Sequence, residues 1–264
     1  MACTASLATG RLKRGEHRAH VAIQTEAATY DARIAFDADR ETEEKELLEM
    51  LWHALAKTLD LPLETAIRGV PLIAHTPAEQ HWRELILGEI SATATAPHDG
   101  RLLLPGAFNP LHRGHVRMLE VAERRTGLAG AFELSILNVD KPLLDYTEID
   151  QRLRQFDRPV WLTRLPTFIE KARQFPRATF AVGVDTIARI ANPRYYGSEA
   201  ERDSALAELG SLSTRFIVFG RILDGGFQTL EDIELPVMLG SLCEGVGAEE
   251  FSDPISSTEL RRSV

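Results

Sequence analysis

The sequence predicts an α/β fold over its larger, C-terminal part, a parallel sheet wrapped by helices, preceded by a small α+β domain. Two observations carry this reading. After residue 100, five short runs are apolar on nearly every residue: Arg101–Phe108, Phe132–Val139, Val160–Leu165, Ala178–Asp185 and Arg215–Gly220. Such runs are expected of strands covered on both faces. Amphipathic stretches such as Val116–Arg125 and Thr167–Gln174 separate them, which gives the β-α-β alternation of a parallel sheet. In such sheets ligands bind beyond the carboxyl ends of the strands.

The first hundred residues follow a different pattern. His17–Thr25 and Thr29–Asp37 alternate apolar and polar residues, with Tyr30, Ala32, Ile34 and Phe36 on one face, and predict a hairpin. Thr42–Leu59 sets Leu47, Leu48, Leu51, Leu55 and Leu59 at helical spacing behind an acidic first turn, which complements the positive end of the helix dipole. A second helix is expected over Pro77–Ile90. The polar, small-residue stretch Ser91–Gly100 reads as a linker, dividing the chain into a small α+β domain, residues 1–98, and a larger domain, residues 99–264. Two strands and two helices bury only a modest core, so the first part is expected to pack on the second or on another subunit, as in a homo-oligomer.

Composition narrows the function classes. With 44% hydrophobic and 26% charged residues, the 264-residue chain is ordinary globular protein, not disordered, collagenous or coiled-coil. Thirty Lys and Arg against 39 Asp and Glu give a formal charge of −9, which argues against a general nucleic-acid binder. Any anionic ligand must meet a local basic site. Cys3 and Cys243 show no CxxC spacing, so neither a disulfide framework nor a thiolate zinc site is indicated, and a cytoplasmic location is expected. No run approaches the roughly 20 apolar residues of a membrane span; a soluble, unprocessed protein without a membrane partner is expected. The acidic stretch Glu41–Glu49 reads as a solvated helix face, and Trp52, Trp82 and Trp161 as core.

The best-known phosphate loops, G-x-G-x-x-G and G-x-x-x-x-G-K-[ST], are absent. At the end of the first C-terminal strand stands Pro105-Gly106-Ala107-Phe108-Asn109-Pro110-Leu111-His112-Arg113-Gly114-His115. Gly106 lets a ligand approach the backbone, Asn109-Pro110 turns the chain, and His112 and His115 project from one helical turn. Two imidazole donors at a helix N-terminus make an oxyanion site. The same pair also reads as capping or surface histidines, or as two ligands of a metal. Near the C-terminus, Pro254-Ile255-Ser256-Ser257-Thr258-Glu259-Leu260-Arg261 combines three hydroxyls, a helix start and an arginine, a site for a polyphosphate tail. Ser256-x-x-Glu259 is equally a capping box, and Asp185 after its strand is as readily a helix N-cap as a ligand contact.

GAFNPLHRGH and ISSTELR resemble the two signature motifs of the nucleotidylyltransferase superfamily. Pro166–Ala172, Phe175-Pro176 and Phe180–Ile187 (FAVGVDTI) are similar to the pattern of nicotinate mononucleotide adenylyltransferases. The resemblance covers roughly residues 101–262 and implies a Rossmann-like fold. It implies that His112 and His115 contact the α-phosphate and transition state, and that Ser257, Thr258 and Arg261 contact the β- and γ-phosphates, with Ser256 beside them. Gly106, Ala107, Phe108 and Asn109 would line the nucleotide, Gly183 and Asp185 the nucleotide or pyridine pocket, and Lys141 the acceptor phosphate. Where the family usually carries a tryptophan after Gly-x-Asp, this chain has Asn192-Pro193-Arg194-Tyr195-Tyr196. Thr4–Thr25 bears a fainter resemblance to the end of the CinA C-terminal domain, a family that deamidates nicotinamide mononucleotide; as the likeness starts at Thr4, the region of its serine nucleophile is expected to be missing, and deamidase activity is not carried over.

The reaction this implies transfers a nucleotidyl group from ATP, or another nucleoside triphosphate, to a phosphorylated small molecule and releases pyrophosphate. Nicotinate or nicotinamide mononucleotide is the expected acceptor, a step of NAD biosynthesis. Mg²⁺ is expected to arrive with the triphosphate, held largely by substrate and water. A cytidylyltransferase, an enzyme with another acceptor, and a non-catalytic nucleotide sensor are the alternatives.

Overall fold

The computed structural model describes residues 1–11, 15–62, 74–139, 142–223 and 226–251. The chain forms two compact units: Met1–Arg83 with Asp145–Asp150, and Glu84–Leu144 with Gln151–Val264.

In the first unit, β1 (Ala2–Ser6), β2 (His17–Gln24), β3 (Ala28–Phe36) and β4 (Ala74–Pro77) form an antiparallel sheet in that order; α1 (Arg40–Thr58) lies in sequence between β3 and β4. The expected hairpin is β2–β3, with His17 opposite Phe36 and Gln24 opposite Thr29. Ala19, Val21, Ile23 and Phe36 pack with Met50 and Ala54 of α1. Asp39 caps α1, its Oδ1 accepting from the Thr42 N–H at 2.9 Å. Two readings are corrected here. Glu43, expected on a solvated face, is fully buried; its carboxylate accepts from the Ala8 N–H and pairs with His17 Nδ1 at 2.7 Å. Burial raises its pKa, but hydrogen bonds from Ala8, His17 and Ala38 outweigh burial and hold it below the ordinary value. Trp52, expected in the core, is 62% exposed. The next helix, α2 (Gln80–Leu87), is shorter than expected because Pro77 belongs to β4 and Gly88, with φ of +79°, ends the helix.

The second unit continues with β5 (Ala92–Ala94), β6 (Leu102–Pro105), α3 (Arg113–Thr126), β7 (Ala131–Ser135), α4 (Tyr146–Leu153), β8 (Val160–Thr163), α5 (Phe168–Gln174), β9 (Thr179–Gly183), α6 (Val184–Ala191), α7 (Glu199–Ser211), β10 (Arg215–Phe219), β11 (Arg221–Leu223), β12 (Gly226–Gln228), α8 (Val237–Gly240) and β13 (Cys243–Val246). The residues of α4 up to Asp150 are grouped with the first unit. There Tyr146 is buried, its N–H donating to Thr29 Oγ1 and its hydroxyl to the Glu26 carbonyl.

Seven strands form one sheet in the order β13-β10-β9-β6-β7-β8-β5, parallel throughout except for the β5–β8 pair, and β11–β12 form a small hairpin. This is a Rossmann-like α/β fold with an additional antiparallel sheet near the N-terminus. The five apolar runs are β6 to β10, with Leu102, Leu103, Phe132, Phe180 and Val218 fully buried. Leu103, Phe180 and Phe216 pack with Ile187 and Ile190 of α6 and Leu206 and Leu209 of α7. The stretch read as a linker contributes β5, an edge strand of this sheet. His98, just after it, is a fixed point: Nδ1 accepts from the Gly100 N–H at 3.0 Å and from Trp161 Nε1 at 3.2 Å, and Nε2 donates to the Ala129 carbonyl at 3.1 Å. Among the described residues, no helix is long and apolar enough to cross a membrane.

Strand order reverses between β6 and β9: the chain runs outward from β6 through β7 to β8, then returns to lay β9 and β10 on the other side. Ligand crevices of open α/β sheets lie at the carboxyl ends beside such a switch point.

Candidate functional site

A cavity of about 500 Å³ opens at this place, lined by residues just after β6, β7, β9 and β10 and by the start of α3. The β6–α3 loop forms one wall. Gly106 donates its N–H to the Glu133 carbonyl at 3.0 Å. A Cβ on Gly106 would lie 2.7 Å from two ring atoms of Phe108, so the glycine makes room for that ring as much as for a ligand. Phe108 is buried with φ of +45° and meets Phe132, Phe156 and His115 edge-on. The loop is held from outside by Arg152 Nη1, donating to the Ala107 carbonyl at 3.0 Å, and by Gln155, which donates to the Phe108 carbonyl and accepts from the Leu111 N–H. The Asn109-Pro110 bond is cis.

His112 is the N-cap of α3, and its ring stacks on that of His115 with centroids 3.7 Å apart. The His112 N–H donates to His115 Nδ1 at 3.3 Å. That bond leaves the neutral imidazole's hydrogen on Nε2. Burial, then the neighbouring His112 and Arg221, push the pKa of His115 down to about 3. The side chain is therefore a neutral Nε2–H donor at pH 7, beside the N–H groups of a helix start.

Across the cavity, Asp185 in the first turn of α6 pairs through Oδ2 with Arg221 at 3.1 Å and with Arg189 at 3.5 Å, while Oδ1 is buried without a hydrogen-bond partner among the described residues. A Cβ on Gly183 would meet that Oδ1 at 2.6 Å. The third wall holds a buried ion pair, Lys171 Nζ to Glu133 Oε1 at 2.6 Å, and Thr163 Oγ1 donates to the same oxygen. Tyr195 and Tyr196 complete the lining, and the Tyr196 hydroxyl donates to the Ile190 carbonyl.

Of the residues singled out in the sequence, Gly106, Ala107, His112, His115, Gly183 and Asp185 line this one cavity. Phe108 lies beneath it as packing, and Asn109 is exposed outside the lining. Lys141, Ser256, Ser257, Thr258 and Arg261 lie outside the described residues. Sequence reasoning missed Glu133, Lys171 and Arg221. A charge inside an apolar run, as Glu133 is in Ala131–Ile136, was the signal available for the first. Among the described residues, no three His, Cys, Asp or Glu side chains are grouped to hold a metal ion.

A basic, partly apolar cavity at the switch point, with paired imidazoles at a helix start, suits a phosphorylated nucleotide. A search of curated proteins finds no relative that matches the chain. A family model described as cytidylyltransferase-like matches residues 103–263, a span that holds most of the seven-stranded sheet and the residues that line the cavity, and it supports a nucleotidyltransferase activity in general. The chain belongs to the cytidylyltransferase-like family.

Proposed function

We propose that the protein transfers a nucleotidyl group from a nucleoside triphosphate, ATP by preference, to nicotinate or nicotinamide mononucleotide, releasing pyrophosphate. The observation that carries the reading is the stacked His112–His115 pair at the start of α3, with His115 held as a neutral Nε2–H donor. An acceptor phosphate is already ionised near pH 7, so the reaction needs alignment and charge stabilisation rather than a general base. An acceptor phosphate oxygen bonds to the α-phosphorus as the bond to the bridging α–β oxygen breaks, and pyrophosphate departs with that oxygen. His115 Nε2–H and the α3 N–H groups would donate to the non-bridging α-oxygens, whose charge grows in the transition state. Arg221, near enough to His115 to act on its pKa, would neutralise the phosphates. Mg²⁺ would arrive with the nucleotide substrate and reduce the charge of its triphosphate. Ser256, Ser257, Thr258 and Arg261 are proposed to hold the departing pyrophosphate and Lys141 the acceptor phosphate. Tyr195 and Tyr196 offer rings where the resembled enzymes carry a tryptophan. The likeness of Thr4–Thr25 to CinA supports the same pyridine-nucleotide setting.

The test is pyrophosphate release with Mg·ATP or Mg·CTP against nicotinate mononucleotide, nicotinamide mononucleotide, phosphopantetheine and glycerol 3-phosphate. His115→Ala should lower kcat by at least about a hundredfold, the loss typical of a transition-state donor; unchanged turnover overturns its role. Turnover with CTP alone makes the enzyme a cytidylyltransferase. Nucleotide binding without pyrophosphate release across the panel makes it a sensor.

A further inference from the structure

The wall built from β7, β8 and α5 bears on the chemistry of the acceptor, an inference that rests on the reaction proposed above. Glu133 and Lys171 both line the cavity, yet they are 1% and 4% exposed. Their pairing is lopsided. Glu133 Oε1 accepts from both Lys171 Nζ and Thr163 Oγ1, whereas Oε2 is buried with no hydrogen-bond partner among the described residues. Glu133 is also the one hydrogen-bond partner of the Lys171 ammonium among the described residues, and an ammonium carries three N–H donors. A buried carboxylate oxygen without a donor is costly, and its persistence on a cavity wall asks for a ligand group that supplies one.

The pair therefore presents, side by side, one uncommitted acceptor and uncommitted donors, with formal charges that cancel. The complementary group is uncharged and bears an acceptor and a donor on one carbon, as a primary carboxamide does: its oxygen accepts from Lys171 and its N–H donates to Glu133 Oε2. A carboxylate would meet Lys171 but set a second negative charge against Glu133, with no proton for Oε2.

The side of the cavity decides which substrate presents that group. In an in-line displacement the attacking and leaving oxygens stand on opposite sides of the phosphorus. His112 and His115, at the start of α3 after central β6, mark the phosphorus. Arg221, which the proposed reaction sets against the triphosphate, lines the cavity just after β10. The leaving group is thus drawn toward β10, and the acceptor enters from the side of β7 and β8. We propose that Glu133 and Lys171 read the headgroup of the acceptor and select an uncharged carboxamide, so that nicotinamide mononucleotide is used in preference to nicotinate mononucleotide.

The test compares kcat/KM for the two mononucleotides at saturating Mg·ATP in the wild type and in Glu133→Gln, with folding of the variant checked by thermal melting. The wild type is expected to favour the carboxamide by at least about a hundredfold, since sites built to pair a polar group reject a mismatched analogue strongly. Glu133→Gln, whose amide can donate to a carboxylate, should shrink that ratio by at least about tenfold. Equal use of both substrates, or preference for the carboxylate, by the wild type overturns the proposal while leaving nucleotidyl transfer standing, and does so even if the variant fails to fold. A Glu133→Gln effect on the ATP-to-CTP ratio instead of the acceptor ratio overturns it in favour of base reading. Turnover with a different acceptor and neither mononucleotide removes the proposed acceptor, and this inference with it.

Discussion

The state of His115 makes a prediction that can be worked through to a number. Its pKa is about 3 in the folded chain, lowered by burial and by His112 and Arg221, against 6.5 for an ordinary histidine. The folded protein then takes up almost no proton at this site above pH 5, while the unfolded chain does so below about 6.5. Stability from this residue is therefore complete at pH 7.5 and falls as the pH drops through the unfolded value. Integrating proton uptake by the unfolded state from pH 7.5 to 5 gives a loss of about 2 kcal/mol. The reference is His115→Asn, whose side-chain oxygen can take over acceptance from the His112 N–H but does not titrate. Urea unfolding followed by far-UV circular dichroism at the two pH values should show the wild type losing about 2 kcal/mol more than the variant. Equal losses would mean that His115 is solvated or already charged, and the neutral Nε2–H donor assigned to it would be refuted.

Three further outcomes follow from the same geometry. Gly106→Ala forces the buried Phe108 ring to move and should cost about 1–3 kcal/mol as overpacking, with a lower kcat because the ring abuts His115; an unchanged melting temperature would show that the loop yields freely. Lys171→Met leaves Glu133 buried without its cation and should cost about 3–5 kcal/mol in chemical unfolding, most of it recovered when Glu133→Leu is added; a double variant no better than the single one rejects the ion-pair argument. His98→Ala removes three hydrogen bonds around Gly100, Trp161 and Ala129 and should lower stability by about 1–3 kcal/mol, read from a urea midpoint, with pyrophosphate release unaltered at a temperature where the variant is folded.

What was legible in the sequence follows physical lines. Strands β6 to β10 announce themselves because both faces are covered and nearly every residue is apolar. The edges are silent: β5 is Ala92-Thr93-Ala94 and β13 is Cys243-Glu244-Gly245-Val246, three and four residues whose half-open positions tolerate small or charged side chains. The same holds for β1 and β4 beside the well-patterned β2–β3 hairpin. Glu43 misled for another reason. An acidic residue in a first helical turn looks solvated until Ala8, His17 and Ala38, distant or unpatterned in sequence, converge on it. The β6–α3 half of the site was readable because its residues are contiguous. Its other walls were not, since Glu133, Lys171 and Arg221 are gathered around one cavity only by three crossovers, and no local spacing links a strand glutamate to a lysine 38 positions later.

The order in which the strands are made differs from the order in which they lie. Synthesis delivers β5, β6, β7 and β8 first, and these alone complete the sheet on one side of β6. The opposite edge of β6, carrying Leu102 and Leu103, waits for β9, whose partners Thr179 and Phe180 lie 77 residues downstream. The cavity straddles this seam, so a chain interrupted before β9 holds the histidine pair on an open apolar edge and has no pocket. Ligand capture thereby reports that both halves of the sheet have been joined, and a nascent or truncated chain is most exposed to misassociation along the one strand that organises the chemistry.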